Sequence, residues 1–153
     1  MVSTLNRSHI SRRLLQVAVC LSAANALLGG GLYLWRGVQG LSVFTPTPLA
    51  VDPTDSIWST VDFMFRALAG IWFVLGLMFA YLVPSIEKHS AWFAFACLAV
   101  FAMGVGRGLS AMAFVEAPSN SISAMIGELV APPILVFWQR HVARTFVFPA
   151  PPR

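Results

Sequence analysis

Four charged residues stand inside long apolar stretches of this chain: Asp62, Arg66, Arg107 and Glu128. On insertion scales a charge at the centre of a membrane helix costs on the order of 2.5–3.5 kcal/mol, so each of them calls for a partner. Asp62 and Arg66 are four residues apart with the acid first, the favourable order for a pair on one helical face, and that face continues through Gly70 and Phe73. Arg107 sits in Gly104-Val105-Gly106-Arg107-Gly108, where the Gly104/Gly108 spacing lets two helix backbones approach closely. Glu128 lies in the next apolar stretch, and Gly127 with Ala131 repeats the small-residue spacing there. Pro132 and Pro133 lack N–H groups, which leaves the carbonyls of Glu128 and Leu129 without helical donors. A guanidinium, with five donors, could serve a carboxylate and such carbonyls together. Two chemistries follow. The four charges are either ion pairs that lock helices together, or a polar pocket that orients a headgroup or passes protons.

The other polar residues point to packing. Gln16 and Asn25 are single polar residues in an apolar run, suited to hydrogen bonds between helices. Gly29-Gly30-Gly31 costs helix stability and predicts a tight crossing or a break. Cys20 and Cys97 read as small buried residues rather than a disulfide. His9, His89 and His141 are scattered, with no H-x-x-x-H or E-x-x-H spacing, and no C-x-x-C pair, phosphate loop or G-x-S-x-G elbow occurs. No catalytic residue, metal site or resident cofactor is expected.

The elements that must position the charges follow from composition. Of 153 residues, 58% are hydrophobic and 10% charged, and the mean hydropathy is +0.75. A soluble domain carries roughly a quarter charged residues, so this composition excludes a soluble enzyme and a disordered segment. A helix crossing the hydrocarbon needs about 20 apolar residues. Four stretches meet that length: 14–35, 61–83, 91–114 and roughly 121–138. A β-barrel would alternate apolar and polar residues, whereas Ala67–Val83 runs without a charge. The expected fold is all-α, an antiparallel bundle of four transmembrane helices forming one membrane domain over 1–153. Ser59, three residues before Asp62, has the spacing of a capping box, and Ser119 or Asn120 is a candidate cap for the fourth helix. A Pro-rich tail over 145–153 is expected to leave the last span, its final residues 148–153 extended.

Basic residues set the orientation. Arg7, Arg12, Arg13, Lys88, Arg140, Arg144 and Arg153 fall on one side of the four-span layout, and Arg36 alone falls on the other with Asp52, Asp55 and Glu116. By the positive-inside rule both termini and the 84–90 turn are cytoplasmic. The isoelectric point near 9.8 is then an orientation signal, not one for nucleic acid. The three N-terminal arginines, an apolar run and Ala24-Asn25-Ala26 resemble a secretion signal, but the apolar run continues through Leu34, so an uncleaved first span is expected. Topology then places Asp62, Arg66, Arg107 and Glu128 in the outer half of the membrane. Tyr33, Trp35, Trp58, Tyr81, Trp92 and Trp138 cluster near span ends as interfacial belts. The outer connection 36–60 carries Leu41, Val43, Phe44, Leu49, Val51 and Trp58 with three prolines. It is too apolar to float in water, and is expected to lie on the membrane or fold back across the helix ends.

With these residues in hand, the chain resembles the DUF4345 family of small bacterial four-span membrane proteins of unknown function. The likeness rests on Leu14-Leu15-Gln16, Gly31-Leu32-Tyr33 with Gly37 and Gly40-Leu41, and Asp62 through Gly76 with Arg66 and Gly70. It extends to Gly104–Ser110 around Arg107, to Pro118 and to Gly127-Glu128-Leu129, covering about 14–140. The resemblance implies a bacterial cytoplasmic (inner) membrane location and a layout distantly similar to the DoxX-like group. It singles out Arg66, Arg107 and Glu128 but implies no activity; Pro132-Pro133 and the tail depart from it. Three functions stay open. The favoured one is an accessory or structural subunit of a larger membrane complex, contacted through the outer loop or the lipid-facing helices. The second is a binder or enzyme for a lipid or quinone, and the third a small transporter or proton path.

Overall fold

A computed structural model describes residues 2–43, 49–52, 54–113 and 119–147, and their side chains except at 2–7, 119, 120 and 147. Among these residues the chain is all-α, without strands. The long helices are α1 (Val2–Arg36), α2 (Ser56–Leu82), α3 (Ser90–Ala113) and α4 (Ser119–Val147). A 3-10 segment, Gly37–Val43, follows α1, and a shorter one, Val83–Ser85, follows α2. Each long helix is long and apolar enough to cross a membrane, so the chain is a multi-pass membrane protein.

Helix ends depart from the hydropathy reading in consistent ways. α1 begins twelve residues before the first apolar stretch, at Val2 rather than Leu14, and α4 runs on to Val147. Residues 145–147 are therefore helix instead of tail. Polar residues can continue a helix beyond the hydrocarbon, because its hydrogen bonds are internal to the backbone. α2 opens at Ser56, which places Ser59 inside the helix. Its start is capped by Asp55, whose Oδ1 accepts from the Ile57 N–H at 2.8 Å. The expectations for Phe44, Pro46, Pro48, Pro53, Glu116, Pro118 and the segment 148–153 lie outside the described residues, as do those for the Ser119 and Asn120 side chains.

Contacts group the chain into two compact units. The first comprises Met1–Val17 and Leu82–Arg153, the second Ala18–Tyr81. In the second unit α1 and α2 run antiparallel. α1 passes unbroken through its glycines, and a Cβ on Gly30 would lie 2.7 Å from the backbone nitrogen of Phe73, so the glycine run serves a close crossing. Gly76 repeats this against Leu27. Tyr33 lies against Phe65 and Trp72, at 5.1 and 5.9 Å between ring centroids. Beyond α1 the chain folds back, with the Leu49 N–H donating to Ser42 Oγ at 3.2 Å and Val38 buried. In the first unit α3 and α4 run antiparallel, and Leu15, Leu82, Ile86, Phe93, Ala96, Cys97 and Val142 are buried.

Candidate functional site

The structure brings the four charges into two pairs, one in each unit. In the second unit Arg66 Nε donates to Asp62 Oδ2 at 2.7 Å. Arg66 Nη1 also donates to the carbonyls of Leu34 (2.9 Å) and Trp35 (2.7 Å). These belong to the last turn of α1, where carbonyls have no helical donors. The other oxygen, Asp62 Oδ1, accepts from the Val38 N–H at 2.8 Å. Between them stands Gly37 at φ +61°, the left-handed residue that commonly ends a helix. A Cβ there would run into Asp62 Oδ1. Asp62 and Arg66 thus form a two-handed cap, acid on the amide and arginine on the carbonyls of the α1 exit.

In the first unit Arg107 Nε donates to Glu128 Oε2 at 2.8 Å, with side-chain exposures of 40% and 14%. Small residues on α3 allow this. A Cβ on Gly104 would sit 3.0 Å from Glu128 Cβ and Leu129 Cγ, and Gly108 faces Met125. The matching expectation for α4 is corrected: Gly127 and Ala131 are exposed, and a Cβ on Gly127 would meet nothing within 4 Å. Glu128 leans toward α3, and its neighbour Gly127 points away from it. α4 continues helical through Pro132 and Pro133.

A third ion pair in the first unit was not expected from spacing. Arg12 Nε donates to Glu87 Oε2 at 3.0 Å, and Nη2 to Glu87 Oε1 (3.2 Å) and the Pro84 carbonyl (3.0 Å). The guanidinium also lies 5.8 Å from the Phe146 ring centroid, and His9 meets that ring edge-on. Gln139, fully buried, donates to the Ile86 carbonyl (2.7 Å) and Ser90 Oγ (2.8 Å). Gln16 donates to the Val83 carbonyl at 2.9 Å, as a packing role requires. Asn25 and Cys20, by contrast, are exposed, while Cys97 is buried. The start of α1, the 83–90 turn and the end of α4 therefore meet at one end of this unit. The available signal was Glu87 itself, the sole acid in an otherwise basic turn. Burial, the largest single influence, raises its carboxyl, but the Arg12 hydrogen bond, a backbone N–H and the charges of Arg12 and Lys88 together outweigh it and hold the carboxyl below the ordinary value. On the connection before α2, the Thr54 hydroxyl and N–H likewise hold the exposed Asp52 carboxyl low.

A profile of the family described as a domain of unknown function (DUF4345) matches residues 14–139. The chain belongs to the DUF4345 family. The matched region of this DUF4345 protein contains Asp62, Arg66, Arg107 and Glu128, whereas Arg12 lies just before it. No curated protein and no solved structure matches the chain. Among the described residues no three His, Cys, Asp or Glu side chains converge as a metal site would require. What the pairs do chemically is join helices: one side chain to backbone at the α1 exit, the other side chain to side chain between α3 and α4.

Proposed function

We propose that this DUF4345 chain is a structural subunit of a larger assembly in the bacterial inner membrane, with its arginine-rich end cytoplasmic. The observation that carries the reading is the use made of Arg66. Its Nε donates to Asp62 and its Nη1 to two carbonyls of α1, which makes it part of a joint between helices. Two helix faces support a partner. Ala102, Gly106 and Ser110 on α3 are spaced by four and exposed, as are Ser123, Gly127 and Ala131 on α4. Around Gly106 and Gly127 there is open space, and small residues at this spacing let a further helix approach in lipid. The basic bias at one end supports the orientation.

Purification in mild detergent, with the mass measured intact, tests the reading. The expected result is a stoichiometric second polypeptide on the native chain, lost from Gly106→Leu and Gly127→Leu variants that melt at the native temperature. A native chain free of any other polypeptide overturns it. The half-exposed guanidinium of Arg107 favours a second reading, a binder of a lipid or quinone headgroup. A retained small molecule without a protein partner, lost on Arg107→Gln, would establish that reading instead. Labelling a cysteine at position 88 in a background free of Cys20 and Cys97, only after permeabilisation, would place that turn in the cytoplasm.

A further inference from the structure

One groove of the first unit combines an apolar wall with unneutralised positive charge. It is lined by Ser11, Pro133, Ile134, Phe137, Trp138 and His141, with a volume of about 570 Å³. The α4 residues lie at successive turns of one face, from mid-helix toward its end. Ile134 and Phe137 are 57% and 80% exposed. Trp138 donates from Nε1 to Ser11 Oγ at 2.8 Å, fixing the indole as the groove's side wall against α1. Past Trp138 the same face turns polar: His141 lines the groove, and Arg140 and Arg144 stand exposed three and seven residues beyond Phe137. The acidic side chains described in this unit, Glu87 and Glu128, are taken by Arg12 and Arg107. Among the described residues of this unit nothing anionic is therefore left for Arg140 or Arg144.

We infer that this face of α4 is a binding site for one anionic phospholipid. An acyl chain lies along Pro133, Ile134 and Phe137, and the phosphate meets Arg140, His141 and Arg144. The layers are in the right sequence. Pro133 to Arg144 rises about 16 Å at 1.5 Å per residue, enough for the upper part of an acyl chain and a headgroup. Trp138 stands between them, where an amphipathic ring marks the boundary of hydrocarbon and headgroups. A groove of a few hundred Å³ suits one chain rather than a lipid bilayer patch. Charge complementarity favours an anionic over a zwitterionic headgroup, each basic side chain near the surface being worth about fivefold in partition. The site lies further along α4 than Ser123, Gly127 and Ala131, the positions offered above for a protein partner.

The test is native mass spectrometry of the delipidated full chain with phosphatidylglycerol or phosphatidylcholine added in equal amounts. The expected result is one retained phosphatidylglycerol, preferred over phosphatidylcholine. In Arg140→Gln/Arg144→Gln that preference falls by about fivefold for each arginine. Arg36→Gln/Lys88→Gln removes the same charge elsewhere and keeps the preference. Ile134→Trp, which fills the apolar wall, weakens both lipids alike. Melting temperatures on the same samples identify any variant that has lost its fold, and the remaining variants then decide. Equal retention of the two lipids overturns the inference, and so does equal loss of preference in the control pair, which would mean a diffuse field. Displacement of the lipid by inorganic phosphate would also overturn it, because the groove would then contribute nothing.

Discussion

Asp62–Arg66 and Arg107–Glu128 are the same two kinds of side chain, in spans of similar hydropathy, yet they hold different things. In the α1–α2 unit the pair is woven into the backbone: Asp62 accepts from Val38, and Arg66 donates to the carbonyls of Leu34 and Trp35. In the α3–α4 unit, Arg107 and Glu128 bind each other across a gap that Gly104 keeps narrow. The contrast teaches that a charge inside a span has no fixed meaning. Its worth depends on what would be orphaned if both members of the pair were taken away.

Single removals should be the most damaging and should not distinguish the pairs. Arg66→Ala and Arg107→Ala each strand a carboxylate at hydrocarbon depth, with an expected loss of about 3 kcal/mol in unfolding followed in detergent micelles. Loss of less than a third of that at either site would mean that water reaches the remaining acid.

Charge-free double variants should separate them. Arg107→Met with Glu128→Leu removes both halves of a side-chain pair, and apolar replacement of such a pair is often tolerated; stability is expected within about 1 kcal/mol of native. Asp62→Leu with Arg66→Met leaves the Val38 N–H and two carbonyls without their partners. Orphaned backbone groups cost about 1–3 kcal/mol each when buried, and with the partial exposure here about 2 kcal/mol in all is expected. Equal losses in the two doubles would mean that the backbone groups at the α1 exit do not depend on Asp62 and Arg66.

The glycines sharpen it further. Gly37→Ala meets both a left-handed backbone and the Asp62 oxygen, for an expected cost of about 2 kcal/mol. Gly104→Ala meets side-chain atoms of Glu128 and Leu129 at 3.0 Å, which can give by a few tenths of an ångström, so about 1 kcal/mol is expected. If Gly104→Ala proved the worse, the α3–α4 joint would be the stiffer of the two.

These differences explain how much was readable beforehand. The four helices were legible, because apolar length is local and a membrane leaves the backbone few alternatives. The 62/66 pairing was legible from spacing. The backbone side of that cap was not, because it depends on the chain reversing at Gly37 and returning α1's last carbonyls to α2. Gly127 and Ala131 show the limit of a small-residue motif: spacing says that a helix can be approached there, not that it is. The roles of Arg12 with Glu87, and of Gln139, are not legible in the sequence because their partners are set by how α1, α4 and a turn meet. Hydropathy also stopped short at α1 and α4, where helix continues past the apolar run.

The smallest expected effect concerns the third pair, Arg12–Glu87, which differs from both others in lying where protons reach it. Its carboxyl is held below the ordinary glutamate value, so folding favours the charged form. The stabilisation is then complete above the unfolded value of 4.5 and is lost as pH falls through the lower folded value. Pairs near the surface, as this partly exposed one is, contribute up to about 1 kcal/mol. Melting the protein between pH 7 and pH 3 should therefore show a modest acid-side loss that Glu87→Gln reduces, with little difference between the two proteins at the acid end. Arg12→Gln should shrink the same slope from the other side, since burial then acts on Glu87 without the arginine to oppose it. An unchanged slope in Glu87→Gln would mean that Arg12 is held by Pro84 and Phe146 alone, and that this end of the molecule, like the α1 exit, is a backbone cap rather than an ion pair.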